Sequence, residues 1–113
     1  MKLEDFSKEI SRKFLEKDRQ MGELFIFSCL VEEVGEAAKA LRKKDLKNLE
    51  EELADIIFVT VSLANLYGFG LEKTLTEKYL KPSVEEISKR WDDVSWKKNS
   101  GSGGASGGAS GGA

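Results

Sequence analysis

Histidine is absent from all 113 residues. That excludes His-based catalytic triads, the commonest zinc sites and the Glu-x-x-His arrangement of di-iron bundles. Any chemistry must run on carboxylates, Lys, Arg, Tyr or a metal-bound water. Cysteine occurs once, at Cys29, so no internal disulfide can form, and its place on an apolar helical pattern reads as packing. Proline also occurs once, at Pro82. Seven of the eleven glycines fall in residues 100–113, SGSGGASGGASGGA, leaving Gly22, Gly35, Gly68 and Gly70 elsewhere. Residues 99–113 therefore read as a flexible linker or tag of engineered composition, behind one small domain over residues 1–98. Few helix breakers in that domain favour helix throughout. Neither charge sign dominates: 18 basic and 20 acidic residues leave a net charge of −2. No basic face is available for a nucleic-acid polymer. No apolar run reaches transmembrane length and no signal-peptide pattern opens the chain, so the expectation is a cytoplasmic protein without a membrane partner. No internal repeat is evident.

What is present is helical periodicity. Residues 3–17 form an amphipathic helix with Leu3, Phe6, Ile10 and Phe14 on one face, and a break is expected over residues 18–20. A second helix spans residues 21–43, with an apolar stripe of Phe27, Leu30, Val31, Val34, Ala37, Ala38 and Leu41. Arg42, Lys43 and Lys44 follow at a turn, where they complement the negative end of that helix. Asp45 is placed to N-cap a third helix over residues 46–67. Gly68 and Gly70 look like its stop. A short helix over residues 71–80 is ended by Pro82, and Ser83 with Glu86 makes a capping box for a last helix carrying Val84, Ile87, Trp91 and Val94.

The stretch around which the rest is arranged is residues 32–55, EEVGEAAKALRKKDLKNLEEELAD. About Lys44 as pivot, Glu36 and Glu52 lie eight residues to either side, and Glu33 and Asp55 eleven. An antiparallel hairpin brings the pairs level, and the i, i+3 spacing puts both acids of each pair on one helix face. Four converging carboxylates repel unless a cation sits among them, and a hard divalent ion is the simplest answer. Glu33 flanks the apolar stripe, beside Ile26, Cys29, Ala37 and Ala40. Residues 53–66, LADIIFVTVSLANL, are apolar nearly all round with Asp55 as the one charge, so burial of Asp55 against a cationic partner or a metal is expected. A helix of that kind in so small a domain needs more cover than its neighbours provide, which predicts a homo-oligomer.

Glu32-Glu33-Val34-Gly35-Glu36 followed by Glu52-Leu53-Ala54-Asp55, EExxE then ExxD across a charged spacer, resembles the MazG-like nucleoside triphosphate pyrophosphohydrolases of the all-α NTP pyrophosphatase superfamily. The similarity covers roughly residues 20–91, and Gly35 fits it as a point of close helix approach. The resemblance implies an all-α bundle of four to five helices built on an antiparallel helical hairpin. It implies Mg²⁺, with Mn²⁺ as an alternative, held by Glu33, Glu36, Glu52 and Asp55. Glu32 would stand behind these ligands or act as general base, so that Glu32 and Glu33 are the candidate catalytic acids. Water would attack the α-phosphorus of an NTP or dNTP, giving a nucleoside monophosphate and pyrophosphate. Asn65, Lys78, Lys81 and Arg90 would contact the nucleotide, although Pro82 directly after Lys81 departs from the family pattern. Relatives are dimers or tetramers whose pocket can be shared, so a homodimer or homotetramer is implied. Trp96, off the last helix's stripe, and Phe25 and Tyr67 are open as base contacts or packing. The alternatives are a dUTPase-like or phosphoribosyl-ATP pyrophosphatase, or a non-catalytic helical oligomerisation module with its acids ion-paired to Lys and Arg.

Overall fold

A computed structural model describes residues 1–92, and all of its regular structure is helical. Val94, Trp96 and the Gly/Ser/Ala-rich ending lie outside the described residues. The helices are α1 Leu3–Met21, α2 Glu23–Arg42, α3 Leu46–Leu66, α4 Leu71–Leu75, which continues as a π-helical turn Thr76–Leu80, and α5 Val84–Asp92. The chain divides into two compact units, Met1–Lys73 and Thr74–Ala113.

In the first unit α3 is the central element, packed most extensively on α2 and also on α1. Its core is Ile26, Ala37, Ala40, Val59, Val61 and Ala64. Three alanines in that list explain the close fit, because small side chains let helix axes approach. Phe14 meets Phe58 edge-to-face, with ring centroids 5.3 Å apart, and Asn65 Nδ2 donates to Ser7 O at 3.0 Å. Both contacts fasten α1 to α3.

Each helix end has a local cause. The break expected over residues 18–20 falls instead at Gly22, because Asp18, Arg19 and Gln20 are compatible with helix while Gly22 takes φ 92°, open mainly to glycine. The α2–α3 turn is a Schellman motif: Lys44 N donates to Leu41 O, Asp45 N donates to Ala40 O, and Lys44 adopts φ 58°. Asp45 Oδ1 then accepts from Asn48 N at 3.2 Å, the expected N-cap. The same motif closes α3, with Gly68 at φ 68°, Gly68 N donating to Asn65 O and Phe69 N to Ala64 O. In the second unit the capping box forms as read: Ser83 N donates to Glu86 Oε1 and Glu86 N to Ser83 Oγ.

The apolar stripe of α2 is split rather than buried. Ile26, Leu30, Glu33, Ala37 and Ala40 are buried or half-buried at heptad spacing. Phe27, Val31, Val34, Ala38 and Leu41 are exposed, as is Leu24 one turn earlier. The helix thus carries two apolar seams about 100° apart, and among the described residues only one of them is covered. On α3, Leu53 and Ile57 are likewise about half exposed. Gly35 does not serve a close approach within the chain, since a side chain there would meet open space.

Candidate metal centre

The buried seams of the hairpin contain two acids where hydrophobic residues would be expected. On α2 the seam runs Ile26, Leu30, Glu33, Ala37, Ala40; on α3 it runs Leu49, Glu52, Ile56, Val59, Leu63, all buried or half-buried. Glu33 and Glu52 therefore occupy core register positions on facing helices. Asp55 lies one turn beyond Glu52 on α3, and one carboxylate oxygen from each of Glu33, Glu52 and Asp55 lies within 4.8 Å of the others. Glu36, one turn beyond Glu33 and exposed, adds its negative charge to the field at Glu52.

The electrostatics of this arrangement converge on Glu52. Its carboxyl is pushed up to about 7, first by hydrogen bonding with Glu33, then by burial, then by the charges of Glu33, Asp55 and Glu36. Its Oε1 is out of contact with water and has no hydrogen-bond partner. Among the described residues the ion pairs are Lys8–Glu4 and Arg12–Glu9, both within α1, so no Lys or Arg neutralises the four acids. This differs from the expectation for Asp55. Asp55 is exposed, and the acid withdrawn from solvent is Glu52, because the α3 face that meets α2 is phased on Glu52 and Ile56.

The donor set fits a hard divalent cation. It is all carboxylate oxygen, it comes from two helices whose caps fix their register, and it includes an inward oxygen with no hydrogen-bond partner among the described residues. Such a cation would be held by Glu33, Glu52 and Asp55, with Glu36 adjacent.

The other sequence-selected residues are not members of this trio. Glu32 is exposed on α2 and is not one of the clustered acids. Asn65 is half-buried and its amide is used to hold α1, through Ser7 O. Lys78 and Arg90 belong to the second unit, where with Tyr79 and Trp91 they line a small cavity of about 180 Å³. Arg90 Nη1 donates to Lys78 O at 2.7 Å. Lys81 follows the π-helical turn and is exposed. Tyr79 was not singled out from sequence. Its signal is the spacing of Lys78-Tyr79 and Arg90-Trp91 across a single proline, which folds one pair back to the other. Also unanticipated is Asp18, whose carboxyl is raised by burial, an effect partly offset by Ser62 on α3.

An antiparallel helical hairpin that brings carboxylates together defines an all-α protein with a candidate site for a divalent cation. A family model of the MazG nucleotide pyrophosphohydrolase domain matches residues 22–83, which take in α2, α3, α4 and all four acids. The chain belongs to the MazG nucleotide pyrophosphohydrolase family. No curated protein matches it.

Proposed function

We propose that the protein is a Mg²⁺-dependent nucleotide pyrophosphohydrolase that cleaves an NTP or dNTP between the α and β phosphates. Water adds to the α-phosphorus, the bridging P–O bond breaks, and the products are a nucleoside monophosphate and pyrophosphate. The observation that supports this reading is the trio Glu33, Glu52 and Asp55, with oxygens within 4.8 Å of one another and no ion pair to a Lys or Arg among the described residues. Glu33, Glu36, Glu52 and Asp55 are the proposed ligands. When bound, Mg²⁺ would neutralise phosphate charge and acidify a water, and Mn²⁺ supplies the same chemistry. Glu33 or Glu32 takes the proton of the attacking water. Lys78 and Lys81 carry the fixed positive charge for the phosphates by motif. A cytoplasmic location is part of this proposal. Among the described residues no single helix is long and apolar enough to cross a membrane.

The proposed partner is a second copy of the chain. Leu24, Phe27, Val31, Val34, Ala38 and Leu41 form an uncharged seam along the outer face of α2, with Leu24 74 % and Leu41 61 % exposed. A heptad seam of this kind is self-complementary about a two-fold axis.

The decisive assay is pyrophosphate release across a panel of NTPs and dNTPs with and without Mg²⁺. Asp55→Asn is expected to lower turnover by at least about 100-fold while the helical circular dichroism is retained. Full activity in that variant would remove the metal site as drawn. An ion-paired, non-catalytic module would instead show no magnesium effect on melting and no release from any nucleotide.

A further inference from the structure

In the second unit, one carbonyl at the end of the π-helical turn has no backbone donor among the described residues. In an α-helix Lys78 O would accept from residue 82, which is Pro82 and has no N–H. Both neighbouring donors are engaged. Lys81 N donates to Thr76 O at 2.9 Å, closing the π turn, and Ser83 N donates to Glu86 Oε1 at 2.8 Å in the capping box. Lys78 O is satisfied from α5 instead, by Arg90 Nη1 at 2.7 Å. This is a charge-assisted bond, and a guanidinium at the carbonyl end of a helix also meets the negative end of its dipole. Arg90 is in turn one helical turn from Glu86, whose carboxyl is held below its ordinary range by the Ser83 N–H and hydroxyl and, to a smaller degree, by the Arg90 charge. The capping box and the carbonyl bond therefore form one connected unit around Pro82. π-Helical turns of this kind are concentrated at functional sites, and the residue this one presents is Lys78, whose Nζ lies 5.5 Å from the Tyr79 ring centroid.

We propose that Arg90 is a positioning residue for Lys78 and not itself a phosphate contact. Its guanidinium caps the carbonyl that Pro82 deprives of a donor, and so fixes the backbone from which the Lys78 ammonium reaches an anionic substrate. The proposal rests on Lys78 being a phosphate contact. It assigns different work to two cations that the motif alone treats alike. It also gives Pro82 a role, since the proline creates the vacancy that Arg90 fills.

The test is a double-mutant cycle between positions 82 and 90, read as KM and kcat for a nucleoside triphosphate and as the ¹³C shift of the Lys78 carbonyl. Arg90→Gln should raise KM about fivefold with kcat within about twofold, and should shift the Lys78 carbonyl resonance. Pro82→Ala alone should leave both kinetic constants within about twofold. The double variant should recover most of the lost KM, because the restored backbone N–H supplies the missing donor. An equal KM rise for Arg90→Gln in both backgrounds would mean that Arg90 meets the phosphate directly, and the proposal falls. An unmoved carbonyl resonance in Arg90→Gln also overturns it. Lys78→Ala separates the two layers. If KM does not change there, the phosphate role of Lys78 fails and the positioning role with it, while the carbonyl shift still reports whether the Arg90 bond exists.

Discussion

At the residue scale, two side chains sit where their own chemistry opposes them. Lys44 holds φ 58° at the αL position of a Schellman motif, while Gly68 fills the equivalent position at the end of α3. A non-glycine residue there carries a strain of about 1 kcal/mol, partly offset by the greater unfolded-state entropy of glycine. Lys44→Gly is therefore expected to stabilise the fold by about 0.5 kcal/mol, measured by urea denaturation. Glu52 is the second case. Its carboxyl, raised to about 7, binds a proton more tightly in the folded than in the unfolded chain. That stabilisation is fully present below the unfolded value, near 4.5, and is lost as pH rises through about 7. Metal-free protein should accordingly melt at lower temperature at pH 8 than at pH 5. Glu52→Gln should flatten this dependence, and melting curves of the two proteins in EDTA over that range decide the matter. A parent curve that rises with pH, with the variant tracking it, would show that the cluster is not strained in the absence of metal.

At the element scale, the hairpin was readable and the phase of its faces was not. The spacing of Glu33, Glu36, Glu52 and Asp55 about Lys44 gave the antiparallel pairing, Asp45 its cap, and Ser83 with Glu86 theirs, because each signal is local and has a backbone partner within a few residues. The facing side of α2 is not legible in the sequence because that helix is apolar over two adjacent seams. Periodicity alone shows a broad stripe and does not say which edge meets α3. The same ambiguity on α3 made Asp55 look like the buried acid, when Ile56 and Val59 turn Glu52 inward. The bond between Arg90 and Lys78 O was not legible because it depends on a donor missing at Pro82, which is a tertiary consequence of one residue. Packing of α3 has its own test. Val61 is 1 % exposed, and Val61→Ala should lower stability by about 2 kcal/mol through lost burial and a residual cavity. Calorimetric unfolding measures that loss. A change below about 0.5 kcal/mol would mean that the α1–α3 contact relaxes to fill the space.

At the scale of the whole molecule, the proposed association rests on the outer seam of α2. From Leu24 to Leu41 it runs about 25 Å along the helix, long enough to seat a second helix over its full length. A stable dimer needs burial on the order of 1,200–2,000 Å², and Leu53 and Ile57 of α3 are further apolar side chains about half exposed. Val31 and Val34, each about half exposed, lie near the middle of the seam beside Gly35, where a partner meets no side-chain obstruction. Placing a charge there opposes association strongly, because two copies related by a two-fold axis would bury like charges near each other. It costs the isolated protomer little, since Val31 faces solvent. Val31→Glu is therefore expected to convert a dimer or tetramer to monomer in sedimentation velocity at micromolar concentration. The helical circular dichroism of the hairpin should remain, because the Ile26, Ala37 and Ala40 side of α2 is untouched. If the parent protein already sediments as a monomer, the seam has no second copy to cover it and the proposed partner is wrong. If Val31→Glu dissociates the assembly and pyrophosphate release falls with it, part of the substrate site comes from the second copy. If release persists in the monomer, each hairpin carries a complete site.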